Sequence, residues 1–279
     1  MKNFVKLCTL TAFLSITLFS CDYIEEPTCL DCQAQESEMK VVLEDFTGHM
    51  CGFCPQAHKV ADQLKEDYGD NLIVITIHAT GLARQFPAAG YHPDYTTDMG
   101  DEIEEFFDAE TEGFPVGMIN RRTWTDGKIP QKAPNWGSYI SAILSETPML
   151  SLEVTANVTN DENLSSQARI TYFEEAPADH QLVMVITEDS IFSKQSDYDQ
   201  PSGEVENYHH KHMLRGSVTN GTWGERLKSD PIEAGEIFEL DYSMEWNADW
   251  DPNNCHLVAY IIDNTTKEII QAEEISLTE

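Results

Sequence analysis

The spacing of apolar residues changes at Pro148, and that change limits the possible fold more than any other feature of the chain. Before it, β-like runs alternate with helical patterns. VVLEDF (41–46) is followed by CPQAHKVADQLKEDYG, where Val60, Leu64 and Tyr68 fall at helical spacing and Gly69 stops the helix. NLIVITIHA (71–79) comes next as an unbroken β-rich run, the pattern of a strand buried on both faces. Strand, helix, buried strand predicts a βαβ unit on a parallel sheet. Residues 80–97 read as an irregular insertion. DMGDEIEEFFDAE (98–110) predicts a helix with Ile103, Phe106 and Phe107 inward, and GFPVGMINRR (113–122) a strand. TDGK reads as a turn, and NWGSYISAILSE (135–146) as a helix capped by Asn135. After Pro148 only short strands remain: SLEVTANVT, QARITYFEE, HQLVMVITED, EIFELDYSM, CHLVAYIID and KEIIQAEEISL. Such a series predicts a β-sandwich. The expected organisation is an α/β domain over 39–147 followed by an all-β sandwich over 148–279.

The first twenty residues carry Lys2 and Lys6 and then an apolar run too short to span a bilayer, as in a secretory signal. The run ends Leu18-Phe19-Ser20-Cys21, which resembles a lipoprotein cleavage site with Cys21 as the lipidated residue. Residues 21–38 are polar and acidic and read as a tether, with Asp22, Glu25 and Glu26 close to the anchor. The expected location is the outer membrane, held by lipid and open to exposure at the cell surface. A net charge of -32 repels nucleic acid, which is excluded as a partner.

HMCGFCPQAHK (49–59) places Cys51 and Cys54 where the first strand turns into the first helix. A helix N-terminus stabilises a thiolate. Cys51 is therefore the expected nucleophile and Cys54 the resolving thiol, with Pro55 suited to the first helical turn. The arrangement resembles the thioredoxin fold. Asp45, six residues before Cys51, stands where thioredoxins keep a buried acid that moves protons. Phe114-Pro115 stands where they keep a cis-proline beside the cysteines. Met50 and Phe114 depart from the residues usual at their places. Two other readings stay open for the pair: an inert disulfide, as export from the cytoplasm favours, and a metal clip completed by His58, for which no fourth ligand is evident. His58 otherwise reads as a surface neighbour or a local cation beside the thiols.

TCLDC supplies a second pair, Cys29 and Cys32, in the tether, either a small disulfide or a relay to Cys51 and Cys54. Cys255 begins an apolar strand and reads as a buried free thiol. NYHHKHMLRG (207–216) concentrates His209, His210 and His212; on a strand, His210 and His212 would share a face and could hold a metal. Three histidines in a solvated loop are the plainer reading. NADWDPNN lacks the glycine and closing glutamate of a calcium loop. No hydrolase, nucleotide or zinc-protease motif is present, and no cofactor is implied.

VVLEDFTGHMCGFCPQAHK, GFPVGMINR, VENYHHKHMLRG and CHLVAYIIDNTTKEIIQAEE together resemble the outer-membrane protein 28 family, lipid-anchored surface antigens of Gram-negative anaerobes. The resemblance implies an α/β thioredoxin-like domain followed by an all-β Ig-like sandwich, and a surface adhesin or receptor role. Two functions are carried forward. One is thiol–disulfide exchange with protein thiols and disulfides, using Cys51, Cys54, Asp45 and Pro115. The other is binding of a surface protein partner, the cysteine pair being structural.

Overall fold

The computed structural model describes residues 37–159 and 162–278. The expected signal peptide, the lipidation site Cys21, the second pair Cys29 and Cys32, and nearly all of the tether lie outside the described residues. No described helix is long and apolar enough to cross a membrane.

The first half follows the predicted order: β1 (Val41–Thr47), α1 (Cys54–Tyr68), β2 (Leu72–His78), α2 (Asp98–Phe107), β3 (Val116–Ile119) and α3 (Ala133–Leu144). β1 pairs in parallel with β2 and antiparallel with β3, where Phe46 stands opposite Val116. Thr97 caps α2 through its hydroxyl, which accepts from Gly100 N at 3.0 Å. Asn135 is not the cap of α3. That helix starts two residues earlier, with Pro134 in its first turn and no side-chain cap.

The second half contributes β4 (Leu150–Thr159), β5 (Asn163–Tyr172), β6 (His180–Glu188), β7 (Ile191–Ser196), β8 (Glu204–His210), β9 (Met213–Ser217), β10 (Glu225–Arg226), β11 (Ile237–Glu245), β12 (Cys255–Asp263) and β13 (Ile269–Ser276). These strands do not close into a domain of their own. One sheet runs in the order β13-β12-β6-β9-β2-β1-β3, with β10 also on β6, and so takes strands from both halves. The seam is thin: β2 meets β9 only at Thr76 opposite Met213, where Thr76 N donates to His212 O at 2.7 Å. A second sheet, β11-β5-β4, packs on β6 and β12, and β7 and β8 form a separate hairpin.

The expected fold, an α/β thioredoxin-like domain followed by an independent Ig-like sandwich, is therefore corrected. Residues 37–278 that are described form one mostly β structure, with thirteen strands against three α-helices. The change of pattern at Pro148 marks where helices stop, between α3 and β4, and not where a sheet ends. The physical reason is burial. β6 and β12 are apolar on both faces, so each needs cover on two sides. Leu182, Met184 and Ile186 face the three-stranded sheet, while Val183 and Val185 join Val42, Phe46, Ile73 and Ile75 in a core running along the opposite face of the large sheet.

On the face covered by α1 and α3, Val41, Leu43, Leu72 and Val74 pack against Ala57, Ala61, Trp136 and Ile140. Further along the same strands, that face turns polar: Asp45, Thr47, Thr76 and His78 are all buried there. The C-terminal ends of adjacent parallel strands thus carry buried polar groups beneath the start of α1.

Candidate functional site

After β1 the chain makes a tight turn. Met50 N donates to Leu82 O at 2.9 Å and Cys51 N to Gly48 O at 2.9 Å. Gly48 is required for that approach, because a Cβ there would lie 2.5 Å from Leu82 O. Cys51 and Cys54 form a disulfide with Cα atoms 5.4 Å apart. Cys54 opens α1, Pro55 follows in the first turn, and no side chain caps the helix. Cys54 N donates to Cys51 O and Gln56 N to Phe53 O, so it is the helix dipole that favours negative charge on the sulfurs when the bond opens. Cys51 retains 5% exposure and Cys54 none, so Cys51 is the less deeply buried of the two.

Pro115 follows a cis peptide bond from Phe114 and lies across from the helix start. Phe53, Gln56, Val60, Phe114, Pro115 and Pro134 line one open groove of about 410 Å³. Lys132 fixes its far wall, donating to Glu112 O at 2.7 Å and to the carbonyl of Gly113. Beside this groove Phe53 is 61% exposed and meets the edge of Tyr198, itself 63% exposed.

The β7–β8 hairpin holds the cysteine turn from the other side, and nothing in the sequence announced it. Buried Gln195 donates through Nε2 to Gly48 O at 3.2 Å and to Cys51 O at 3.0 Å. Ser196 N donates to His49 O and Tyr198 N to Gly52 O. A Cβ on Gly52 would lie 2.4 Å from the Tyr198 ring. Gly52→Ala is therefore expected to displace Tyr198 and to speed reduction of the disulfide by a water-soluble phosphine roughly tenfold, if ring displacement lowers the barrier by about 1.4 kcal/mol. An unchanged rate would mean that Tyr198 does not shield the bond.

Asp45 lies beneath α1 and is 1% exposed, with neither carboxylate oxygen hydrogen-bonded. Burial holds its pKa well above the usual carboxylate range. His58 stands 3.8 Å from it, Nε2 to Oδ2. His58 Nε2 is also 2.9 Å from Thr47 Oγ1, and its Nδ1 is 2.8 Å from the Tyr208 hydroxyl. Burial lowers the His58 pKa to about 4, so this ring is neutral and is not the local cation that its sequence position suggested. Asp45, His58, Thr76, His78, Tyr208 and His210 surround a small cavity of about 30 Å³. His78 has both ring nitrogens unpartnered, and burial and then the neighbouring His210 push its pKa well below normal.

The three clustered histidines do not act together. β8 ends at His210 and the chain reverses through Lys211 and His212, the latter at φ 53°, so His210 and His212 do not share a strand face. His209 is exposed and stacks on Phe192 at 4.7 Å. His210 is buried, bonded to Ser193 Oγ at 2.9 Å. His212 turns toward Asp189. Among the described residues no three His, Cys, Asp or Glu side chains are placed as metal ligands. Cys255 is a buried free thiol whose pKa is raised by burial.

The family model of outer membrane protein Omp28 matches residues 102–279. The chain belongs to that family. Its members are outer-membrane proteins, and the outer membrane is where this chain is placed. The cysteine pair lies on the N-terminal side of the matched residues. No curated protein matches the chain. Among solved structures, HBP35 of Porphyromonas gingivalis is similar over 87% of this chain and 76% of its own, at 16% identity and TM-score 0.63. A protein of Agrobacterium tumefaciens is similar over 88% of this chain and 97% of its own, at 13% identity and TM-score 0.53. A domain of the outer membrane lipoprotein Omp28 from Porphyromonas gingivalis covers 47% of this chain and 90% of its own, at 14% identity and TM-score 0.31. At these identities the first two establish a shared fold alone. Each spans both halves of the Omp28-family chain, in keeping with one structure rather than two separate domains.

Proposed function

We propose that this Omp28-family protein is lipid-anchored through Cys21 and carries out thiol–disulfide exchange with protein thiols through Cys51 and Cys54. The observation that supports the reading best is the position of the disulfide at an uncapped helix start, with Cys51 the less buried of the pair and an open apolar groove beside it. Cys51 takes the attack of a partner thiolate, or as thiolate attacks a partner disulfide; Cys54 then displaces the partner from the mixed disulfide. Pro115 and Phe114 shape the groove in which the partner chain lies. Asp45 accepts the Cys54 proton. A C-x-x-C bond closes a loop too small to add much stability, which leaves chemistry as the better reason for it.

A second reading is favoured by the hairpin on the cysteine turn. Held as it is by Gln195 and Tyr198, the disulfide could serve only to fix a surface for a protein partner. Equilibration of the mature chain in graded glutathione buffers separates the two, with Cys51 and Cys54 followed by thiol tagging and peptide mass. A potential between about -120 and -270 mV is expected, as in working exchange proteins, and Cys51→Ser is expected to abolish exchange. A potential below about -300 mV would assign the bond a structural role and favour the binding protein.

A further inference from the structure

We propose that His58, held by Tyr208, is the proton outlet of the exchange reaction, taking from Asp45 the proton that Asp45 receives from Cys54 and releasing it to solvent. The inference rests on the redox reading above. Cys54 and His58 are four residues apart on α1 and so share the helix face that packs over β1, the face toward which Asp45 points. A buried carboxyl with no hydrogen-bond partner has no way of its own to return a proton to water. His58 Nε2 lies 3.8 Å from its Oδ2. That gap is too long for a direct hydrogen bond and fits one bridging water. The cavity that both residues line, about 30 Å³, has room for it and the polar walls it needs.

His58 is the member of this cluster that also reaches outward. Its ring is partly exposed, and Tyr208, also partly exposed, bonds the Nδ1 that faces away from Asp45. Thr47 can donate to Nε2 while the ring is neutral and accept from it once Nε2 is protonated, so the ring keeps its place through the transfer. The groups around His58 are Asp45 and Thr47 from β1, His78 from β2, Asp62 from α1 itself, Tyr208, His209 and His210 from β8, and Lys211 and His212 from the turn beyond. Lys211 is neutralised by Asp62 at 2.9 Å. His58 is neutral at rest, so its ring is able to receive a proton.

In the mixed disulfide Cys51 Sγ is bonded to the partner sulfur. The Cys54 thiol gives its proton to the Asp45 carboxylate, and Cys54 Sγ attacks Cys51 Sγ. The Cys51–Cys54 bond forms as the Cys51–partner bond breaks, and the partner leaves as thiolate with the electron pair. Asp45 passes its proton through the bridging water to His58 Nε2, and His58 releases one from Nδ1 by way of the Tyr208 hydroxyl. Cys54 is a catalytic residue, His58 a proton-transfer residue, and Tyr208 a positioning residue.

The test is the rate at which the mature protein exchanges with oxidised glutathione between pH 6 and 9, for the wild type, His58→Gln and Tyr208→Phe. His58→Gln is expected to slow resolution of the mixed disulfide at least tenfold near pH 6.5, the lower end of general acid–base effects. The loss should shrink toward pH 9, where a thiol of ordinary pKa near 8.5 ionises unaided. Tyr208→Phe should give a smaller loss in the same pH window, and it keeps the inference testable should His58→Gln not fold. The equilibrium constant with glutathione should be unchanged within about twofold, because an outlet alters rates alone. Variants that match the wild type at every pH, or that are slowed by one factor at every pH, would overturn the outlet and leave the exchange reading standing. A wild type that fails to exchange would overturn the reading itself.

Discussion

Lowering the pH from 6.5 to 4 is expected to remove several kcal/mol of stability from this protein. Burial lowers the pKa of His58 to about 4 and of His210 to about 3, and that of His78 well below normal. Each ring is neutral in the folded protein and becomes protonated in the unfolded chain below about pH 6.5. The unfolded state therefore binds the extra protons. The stabilisation is complete above pH 6.5 and is lost as the pH falls through the folded pKa values. At about 1.4 kcal/mol per pKa unit, His58 alone accounts for about 3 kcal/mol by pH 4. Asp45 opposes this trend. Its folded pKa is raised, so the native carboxyl gains a proton before the unfolded one does, and acidification toward the ordinary carboxylate range relieves its burial. One carboxyl against three histidines leaves the histidines dominant. Urea midpoints at pH 7.5, 6.5, 5.5 and 4.5 should fall steadily below pH 6.5. Asp45→Asn should raise stability at neutral pH, because it removes a carboxyl that burial disfavours in its charged form, and steepen the acid loss. A midpoint flat from pH 7.5 to 4.5 would show that the cluster protonates without penalty, which a buried cluster cannot do.

Much of this arrangement could be read from residue spacing, and its limits have identifiable causes. The boundaries of β1, α1 and β2 followed from apolar spacing because each packs on a neighbour close in sequence, whereas α2 packs near distant β9 and Phe106, expected inward, is exposed. That Cys51, Cys54, Asp45 and Pro115 lie on neighbouring elements could be read for the same reason, since β1 and β3 pair and α1 follows β1; their chemical roles are a proposal. The joining of the two halves was not. It depends on Thr76 meeting Met213 across 137 positions of chain, through a single bridge that leaves no periodic trace. The apolar runs of β6 and β12 did hold a signal, because strands without alternation require cover on both faces and a free-standing sandwich leaves one face open. The hairpin was missed because IFSKQS and GEVENYHH mix polar residues on both sides, so neither predicts a strand. His210 entered the reading as a metal candidate with His209 and His212, and Tyr208 did not enter it at all. The role of Tyr208 and His210 became visible only when β8 was placed over Asp45 and His58.

Replacing Arg121 alone with methionine is expected to destabilise the protein by about 3–5 kcal/mol, the usual result of breaking a buried ion pair from one side. Arg121 follows β3 at φ 54° and turns into the core on the face opposite α1. It is among the largest fully buried side chains of the molecule. Nε donates to Glu44 Oε2 at 2.8 Å and Nη2 to Glu44 Oε1 at 2.6 Å, a bidentate pair, and Nη2 also reaches the Tyr260 hydroxyl at 3.3 Å. The rings of Phe107, Trp223 and Tyr260 lie within 6 Å of the guanidinium. Burial opposes the charge, but Glu44 and Tyr260 together more than offset it, and the guanidinium stays protonated. The pair joins β1 to β12 and so ties the two halves together on the face away from the thin β2–β9 seam. Loss of Arg121 strands a Glu44 carboxylate in an apolar core with no donor of equal strength. Glu44→Leu together with Arg121→Met removes both charges, and should lose less than Arg121→Met alone by at least about 1 kcal/mol. Urea unfolding at pH 7.5 compares the three proteins. A single variant within about 1 kcal/mol of wild type would mean that Glu44 finds water or another partner, and that the other contacts between the two halves hold them together without this pair.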